Sequence, residues 1–261
     1  MDLKIYKIGG SILDDEPILS AFLNEFSQYK GPKILVHGGG KLATSMGKRM
    51  GLEEQYVDGR RITDEKTLEL VTMVYGGLIN KNLVAGLQNL HCPSVGLCGA
   101  DGATILAHQR PVGKVDFGKV GDLEPENFDL KLVRLCLDNG FSPIISSLSY
   151  APGQGLLNTN ADTMASALAG SLSEYYSVDL YFYFDKEGVL DGEAKLIPVL
   201  NEKAIEKNIE EGIIRDGMLP KIQNALNALK SGVRAVYIMG SQFFLKPYTG
   251  DSHAGTKVTL L

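Results

Sequence analysis

The sequence of 261 residues has few cysteines, no surplus of basic residues and no long apolar run. Its three cysteines, Cys92, Cys98 and Cys136, show no paired metal-ligand spacing, so we expect buried free thiols in a reducing compartment. The formal net charge of −5 argues against a general nucleic-acid surface. No apolar run approaches the ~20 residues that a membrane span needs, and we expect no signal peptide ahead of the first strand. These absences predict a cytoplasmic protein with no nucleic-acid or membrane partner.

Short apolar runs alternate with segments of helical periodicity along the chain. This alternation predicts an α/β fold with a mainly parallel sheet and with ligand loops at the C-terminal ends of its strands. We expect any lobe boundary within residues 170–177, and antiparallel hairpins within 104–123. The predicted strands are 3–8, 33–37, 94–98, 141–147, 179–184, 233–239 and 256–260, and the predicted helices are 17–29, 41–50, 64–90, 130–137, 164–172, 201–211 and 222–230.

Two glycine-rich turns, at residues 7–11 and 37–41, each follow a predicted strand and precede a predicted helix. Backbone N–H groups and the helix dipole face the same point at such a turn, which predicts two anion sites. Lys7 stands within the first strand, between Tyr6 and Ile8. A lysine there is unusual unless its ammonium reaches an anion, although a surface lysine on an edge strand is an alternative.

The second turn also fits the dinucleotide-binding pattern G-x-G-x-x-A through Gly38, Gly40 and Ala43. The acidic residue expected about 20 residues later, at the end of a following strand, is missing. Lys41 is followed by Leu42, so the turn is not a Walker A loop either. An oxidoreductase that binds a nicotinamide cofactor is therefore disfavoured.

A polar stretch, Asn158-Thr159-Asn160-Ala161-Asp162, begins a helix of small residues. It holds more capping side chains than one helix needs, which suggests ligand contacts, with a plain N-cap cluster as the alternative. Lys221 lies beside a late glycine turn. Two anion turns and two lysines suit phosphoryl transfer, whose transition state spreads negative charge over oxygens. No Ser-His-Asp order, HExxH motif or kinase HRD/DFG set is present.

These motifs, in this order, resemble those of the N-acetyl-L-glutamate kinases of the amino-acid kinase family. The resemblance covers the chain from end to end, and it rests on residues 7–11, 37–40, 59–63, 158–162, 185–190 and 216–221. It implies an αβα sandwich in which residues 1–261 form a single amino-acid kinase domain. It also implies an N-terminal lobe, about 1–175, for the acylated glutamate and a C-terminal lobe, about 176–261, for ATP.

The resemblance implies a role for each motif residue. Lys7 and Lys221 would neutralise the transferring phosphoryl group, and Asp162 would hold both ammonium groups. Backbone N–H groups of Gly10, Gly39 and Gly40 would bind phosphate and substrate oxygens. Arg61 would bind the substrate α-carboxylate as a bidentate fork, and Asn158 would bind its amino-acid part. The residues implied for the nucleotide pocket are Asp185, Lys186, Gly188, Leu190, Ile214 and Arg215.

The implied reaction phosphorylates the γ-carboxylate of an N-acyl-L-glutamate in arginine biosynthesis. This carboxylate is itself the nucleophile, so no general base is needed. ATP would bind with Mg²⁺, which bridges its phosphates with little protein ligation, so no protein metal ligand is expected. Arginine-inhibited relatives carry a helix ahead of the first strand. Since Lys7 is already on that strand, we expect a homodimer that arginine does not inhibit. The expected interface is the long helix Thr63–Leu90, for which Thr63 is the predicted N-cap.

Arg60 departs from the family pattern, because most relatives have an apolar residue just before the substrate arginine. A charge beside an acetyl methyl would carry a desolvation cost. Arg60 would be satisfied if the acyl group ended in a carboxylate, as in N-succinyl-L-glutamate; alternatively it turns to solvent or pairs with Asp58. Acetyl is the family default and succinyl the alternative. A non-catalytic binding module on the same fold is a third hypothesis, against which Lys7, Asp162 and Lys221 argue.

Overall fold

The computed structural model describes residues 1–53, 55–57, 60–215, 218–245 and 255–260. The motif residues Gly59, Asp216 and Gly217, and Asp58, the suggested partner of Arg60, lie outside the described residues.

Strands and helices alternate through the described chain, as the sequence predicts. The strands are β1 (Asp2–Ile8), β2 (Lys33–His37), β3 (Tyr56–Val57), β4 (Arg60–Arg61), β5 (Ser94–Leu97), β6 (Ala107–Gln109), β7 (Gly121–Leu123), β8 (Ser142–Ser146), β9 (Leu148–Ala151), β10 (Gly155–Asn158), β11 (Ser177–Phe184), β12 (Val199–Leu200), β13 (Ala235–Gly240) and β14 (Thr256–Val258). The α-helices are α1 (Gly10–Leu13), α2 (Glu16–Gln28), α3 (Gly40–Arg49), α4 (Glu65–Val71), α5 (Asn80–Asn89), α6 (Lys131–Asp138), α7 (Ala161–Leu172), α8 (Glu202–Glu210) and α9 (Leu219–Lys230). A π-helical segment, Thr72–Ile79, joins α4 to α5.

One compact unit comprises residues 1–33 and 165–261. Within it β11 pairs in parallel with β1 and β13, β14 pairs antiparallel with β13, and β12 pairs in parallel with β14. Tyr6 of β1 packs its ring against Phe22 and Phe26 of α2, with centroids 6.2 and 5.3 Å apart. Apolar side chains from β1 and α2 therefore share the core of this unit.

The other unit is continuous, from residue 34 to residue 164. Its strand β8 pairs in parallel with β2 and β5. Three antiparallel hairpins, β3–β4, β6–β7 and β9–β10, accompany these strands. The hairpin expected within residues 104–123 is therefore present, whereas no strand was predicted for β9 and β10. Parallel pairing in both units confirms the predicted α/β class with a mainly parallel sheet.

The bounds of the compact units differ from those of the predicted lobes, 1–175 and 176–261. The physical reason is the long-range pairing of β1, whose residues lie beside β11 from Asp2–Ser177 to Lys7–Phe182. The assignment of acylglutamate to one lobe and ATP to the other stays a prediction.

Residues Glu65–Asn89 form one continuous helical stretch that is long and apolar enough, by length and composition, to cross a membrane. The sequence-based expectation considered only uninterrupted apolar residues and did not single out this stretch. It is weak support for a span, because core helices of soluble proteins meet the same criteria. Leu70, Val74, Leu83 and Leu87 of this stretch are buried.

The three cysteines are free thiols. Cys92 is buried as expected, but Cys98 and Cys136 are only half-buried, so the expectation of burial is wrong for these two. Cys98 follows the last residue of β5, and Cys136 lies on α6 beside the exposed Leu135, which explains their partial exposure.

Candidate functional site

A cavity of about 240 Å³ lies within the unit 34–164. The structure brings the predicted substrate residues together in its lining, namely Gly39, Gly40, Arg60, Arg61 and Asn158. The lining also contains Asn160, Ala161 and Thr163, which flank Asp162 at the start of α7.

The glycine turn 38–40 follows a fully buried strand and begins a helix. All five residues of β2 are buried, and Gly39 caps α3 without a side-chain hydrogen bond. A Cβ atom at Gly39 would overlap Cδ1 of Ile79 and lie 3.0 Å from Cδ1 of Tyr75. Only glycine therefore lets the start of α3 approach the π-helical segment this closely.

His37, at the end of β2, holds the first peptide of this turn. Its side chain is fully buried, with Nδ1 2.9 Å from the Gly38 carbonyl oxygen and Nε2 3.1 Å from Nδ2 of Asn80. A carbonyl only accepts and the Asn80 amide nitrogen only donates, so His37 is neutral with its proton on Nδ1. Burial, with a smaller contribution from the charge of Lys81, lowers the pKa of His37 to about 4.

Arg61 is a buried, charged side chain in the lining of the cavity. Although charged, it is only 7% exposed. Its Nη2 donates to the Gly40 carbonyl oxygen at 2.9 Å and to Thr44 Oγ1 at 3.0 Å. Its guanidinium also lies 5.0 Å from the centre of the Tyr56 ring. Burial lowers the pKa of Arg61, and a hydrogen bond to Tyr75 opposes that change.

The polar stretch at the start of α7 divides its side chains among three partners. Asn160 is the helix cap, since its Oδ1 accepts from the N–H groups of Asp162 and Thr163 at 2.9 and 3.0 Å. Thr159 Oγ1 lies 2.7 Å from Ser149 Oγ. Asn158 Nδ2 donates to Thr63 Oγ1 at 3.0 Å. The alternative of a plain N-cap cluster therefore explains the presence of Asn160, but not that of Asn158 or Thr159.

The hydrogen bond from Asn158 to Thr63 also explains why the predicted N-cap of helix α4 is wrong. The sequence suggested Thr63 as the cap, but Asp64 has this position, its Oδ1 accepting from Thr67 N–H at 2.7 Å. The Thr63 hydroxyl instead accepts from Asn158 and donates to the Arg61 carbonyl oxygen at 3.3 Å. Thr63 thereby connects two predicted substrate residues.

The two predicted catalytic lysines lie in the unit formed by 1–33 and 165–261, and both face one ring. Nζ of Lys7 lies 5.3 Å and Nζ of Lys221 lies 4.2 Å from the centre of Phe184. Lys7 is only 8% exposed, which contradicts the alternative of a surface lysine. Gly10 begins helix α1 directly after β1. Asp162 is half-buried in the other unit.

Four of the predicted nucleotide residues, Asp185, Lys186, Gly188 and Leu190, follow the C-terminal end of β11, whereas Ile214 and Arg215 follow α8. Asp185, Lys186 and Arg215 are exposed, whereas Ile214 is almost fully buried. Gly188 is buried where a Cβ atom would lie 2.8 Å from Thr256 Oγ1. The same hydroxyl accepts from Val189 N–H at 2.8 Å, and Leu190 forms a bridge with Leu196. The segment 185–190 therefore packs against β14, and its polar residues Asp185 and Lys186 face the solvent.

Several residues of the cavity were missed by the sequence-based analysis. They are Tyr56, Tyr75 and the ion pair of Arg110 with Asp122. Thr44, which does not line the cavity but is hydrogen-bonded to Arg61 and Tyr56, was missed as well. The available signal was that Tyr75 carries a hydroxyl group within the otherwise apolar run 73–79. Arg110 and Asp122 belong to a hairpin that was predicted without any role in a site.

The sequence model of the amino acid kinase family matches residues 2–240 of this chain. Acetylglutamate kinase of Parabacteroides distasonis is 44% identical over 239 residues, 90% of this chain and 93% of that protein. Acetylglutamate kinase of Cytophaga hutchinsonii is 44% identical over 260 residues and covers 98% of both chains. Acetylglutamate kinase of Clostridium kluyveri is 37% identical over 241 residues, 90% of this chain and 83% of that protein.

Solved structures share the fold. The smu.665 protein of Streptococcus mutans UA159 has a TM-score of 0.79 at 24% identity, with 99% of both chains covered. Giardia carbamate kinase has a TM-score of 0.65 at 14% identity, with 99% of this chain and 98% of that chain covered. The profile match over most of the chain and the identity to these relatives lead to one assignment. This chain belongs to the amino acid kinase family.

Proposed function

We propose that this protein transfers the γ-phosphoryl group of ATP to the γ-carboxylate of N-acetyl-L-glutamate, a step of arginine biosynthesis. The carboxylate oxygen forms a bond to phosphorus, the bond to the ADP oxygen breaks, and the products are an acyl phosphate and ADP. Acetylglutamate kinases that are 44% identical to this chain support N-acetyl-L-glutamate as the substrate. The observation that carries the proposal is the cavity in which Arg61, the glycine turn and Asn158 meet.

The cavity has the chemistry of a dicarboxylate site. A guanidinium with fixed neighbours binds a carboxylate as a fork, and Arg61 is held by Gly40 and Thr44. The N-terminal N–H groups of α3, beside Gly39 and Gly40, offer a second place for negative charge. We assign the α-carboxylate to Arg61, the amino-acid part to Asn158 and the reacting carboxylate to the glycine turn. A carboxylate is ionised at neutral pH, so no general base is needed.

Lys7 and Lys221 would supply the positive charge that the transferring phosphoryl group needs. An ammonium is a compact point charge, and a phosphoryl transition state distributes its negative charge over three oxygens. Both ammonium groups lie over Phe184, a contact that stabilises a cation without neutralising it. We assign to Asp162 the role of fixing these two groups, and to Gly10 an N–H contact with phosphate.

We assign ATP to two segments. The proposed contacts are Asp185, Lys186, Gly188 and Leu190 after β11, and Ile214 and Arg215 after α8. Magnesium would be carried by the phosphate oxygens and would neutralise their charge. Among the described residues no group of three or more His, Cys, Asp or Glu could hold a metal ion. The proposed lobes, about 1–175 for acylglutamate and 176–261 for ATP, belong to this assignment.

We further propose a cytoplasmic homodimer paired through the helical stretch 65–89. Met73 and Leu78 of the π-helical segment are 52% and 42% exposed. Exposed apolar side chains on one helix are typical of interfaces between copies of a chain. Light scattering should show a dimer, and Met73→Asp should reduce it to a monomer. Met50→Asp is the matched control, because Met50 is 55% exposed on another helix end. A monomeric wild type would contradict the proposal.

Arg60 bears on the acyl group, because it is exposed and lines the cavity. An exposed arginine keeps its hydration, so it need not be paired by the ligand. We therefore keep N-acetyl-L-glutamate as the substrate. Replacing Arg60 by Leu should leave kcat/KM for this substrate within about twofold, the usual effect of a surface change. A preference for N-succinyl-L-glutamate that is lost in Arg60→Leu would contradict the choice of acetyl.

The test of the function is ADP release with ATP, Mg²⁺ and N-acetyl-L-glutamate, with hydroxylamine added to trap the acyl phosphate as a hydroxamate. L-Glutamate, which lacks the acyl group, is the matched control substrate. We expect both ADP and hydroxamate, in equal amounts. Binding of N-acetyl-L-glutamate without ADP release would instead indicate a non-catalytic binding module.

A further inference from the structure

Two buried polar residues, His37 and Asn80, lie beside the glycine turn of the cavity. Neither lines the cavity, and neither has a role in the function proposed above. Their side chains are 0% and 1% exposed. Buried polar groups are satisfied by hydrogen bonds, so the partners of each nitrogen and oxygen show which of them donate and which accept.

The side-chain amide of Asn80 has only one orientation that suits its partners. Nδ2 lies 2.8 Å from the Ile144 carbonyl oxygen, an acceptor, and Oδ1 lies 3.1 Å from Nζ of Lys81, a donor. A flipped amide would place its oxygen against the carbonyl and its nitrogen against the ammonium. Nδ2 of Asn80 therefore faces Nε2 of His37, at 3.1 Å. An amide nitrogen only donates, so the imidazole proton must be on Nδ1.

The neighbouring strand leaves room for this orientation of Asn80. Gly96 belongs to β5, and a Cβ atom there would overlap Asn80 Oδ1 and lie 2.7 Å from Lys81 Nζ. The same Nζ donates to the Gly96 carbonyl oxygen at 3.2 Å. A glycine within a strand often marks such a close approach. These contacts fix the Asn80 amide from the side opposite His37.

The proton on Nδ1 determines where a backbone N–H group of the glycine turn points. Nδ1 of His37 donates to the Gly38 carbonyl oxygen at 2.9 Å. This peptide is trans, so its N–H group, which belongs to Gly39, points away from the imidazole. Gly39 lines the cavity. Hydrogen bonds in series polarise one another, so the chain of donors from Lys81 through Asn80 to His37 also strengthens this N–H group as a donor.

We infer that His37, held in one tautomer by Asn80, is a positioning residue that aims the Gly39 N–H group at the reacting carboxylate of the substrate. This inference rests on the proposed function, in which the glycine turn binds that carboxylate. The hydrogen bond is already present when the substrate is bound, so its loss should weaken binding of the acylglutamate and change kcat little. Binding of ATP should not depend on it.

The experiment compares His37→Gln with His37→Asn by steady-state kinetics for each substrate. The Gln amide reaches the place of Nε2, so it keeps a partner for Asn80 and loses the donor to Gly38. The Asn amide has the place of Nδ1 and keeps that donor. His37→Gln should raise KM for N-acetyl-L-glutamate about 5- to 10-fold, the usual effect of losing one hydrogen bond, with KM for ATP and kcat within about twofold. His37→Asn should recover most of that loss.

The two variants are matched controls for each other, because each replaces the same buried ring by a smaller amide side chain. Equal KM values for N-acetyl-L-glutamate in the two variants would indicate a role in packing alone and would overturn the inference. An unchanged KM in His37→Gln would overturn it as well. An inactive wild type would instead contradict the proposed function.

A second measurement needs no variant. Nitrogen NMR of wild-type protein, isotope-labelled at histidine and glycine, reports which ring nitrogen of His37 carries the proton. It also follows the Gly39 amide signal while N-acetyl-L-glutamate is added. We expect a protonated Nδ1 and a shift of the Gly39 signal. A proton on Nε2 would overturn the inference whatever the activity of the wild type, and so would an active enzyme whose Gly39 signal does not move in excess substrate.

Discussion

Protonation of His37 should destabilise the folded protein in mildly acidic solution. The imidazole is fully buried, with a carbonyl oxygen at Nδ1 and an amide N–H group at Nε2. A second proton would have to go on Nε2, where it would face the Asn80 amide hydrogen. Lys81, which bonds the same Asn80 side chain through Oδ1 at 3.1 Å, adds a further positive charge nearby. The folded state therefore strongly disfavours the imidazolium.

The magnitude follows from the difference between two pKa values. The ordinary pKa of histidine is 6.5, and burial lowers that of His37 to about 4. Between these values the unfolded chain binds a proton that the folded chain does not, so stability falls as the pH falls through this window. The loss from His37 is about 2 kcal/mol between pH 7 and pH 5 and about 3 kcal/mol at pH 4, using about 1.4 kcal/mol for each pKa unit.

The assay is urea-induced unfolding at a series of pH values from about 7 to about 5, for the wild type and for His37→Asn. An Asn side chain keeps a donor for the Gly38 carbonyl oxygen but has no proton to gain. The variant should lose the His37 share of the pH dependence. His91→Asn is the control, because His91 is exposed and its φ of 53° suits asparagine. Parallel stability curves for the wild type and His37→Asn would refute this reasoning.

Two further predictions concern catalysis and packing. Lys7→Ala or Lys221→Ala should lower kcat about 100-fold or more with little change in KM, because each charge matters most in the transition state. A change confined to KM in steady-state kinetics would contradict that role. Gly39→Ala should destabilise the protein by about 1–3 kcal/mol, since the new methyl overlaps Ile79. Adding Ile79→Val removes the overlapping Cδ1 and should restore part of that stability in thermal unfolding; no recovery would show that the clash is not with Ile79.

Elements with strong local signals were predicted well. Strand β2 was predicted at its observed bounds, because an apolar run lies between Gly31-Pro32 and a glycine turn. Helix α8 begins one residue after Asn201, whose side chain caps it as the polar residue before an amphipathic helix usually does. In both cases residues adjacent in sequence determine the structure.

Elements that depend on distant contacts were not predicted. Strand β9 contains Ser149, a buried polar residue that breaks the apolar pattern and is satisfied by Thr159. The π-helical turn at Tyr75 occurs where its helix contacts Gly39, a relation that the local sequence does not contain. The glycines, Arg61 and Asn158 of the cavity were identified by their motifs, whereas Tyr75 and Arg110 belong to no motif.

The division of the chain into an uninterrupted unit and a split one has a consequence for the order of folding during synthesis. Every contact inside residues 34–164 joins segments that have all been synthesised before residue 165 is added. Strand β1, by contrast, pairs with β11, whose first residue, Ser177, follows Asp2 by most of the chain. Closing so long a loop is slow compared with forming local contacts. The nascent chain can therefore form the cavity of Arg61 and Asn158 while Lys7, on a strand without its partner, still lacks its final position.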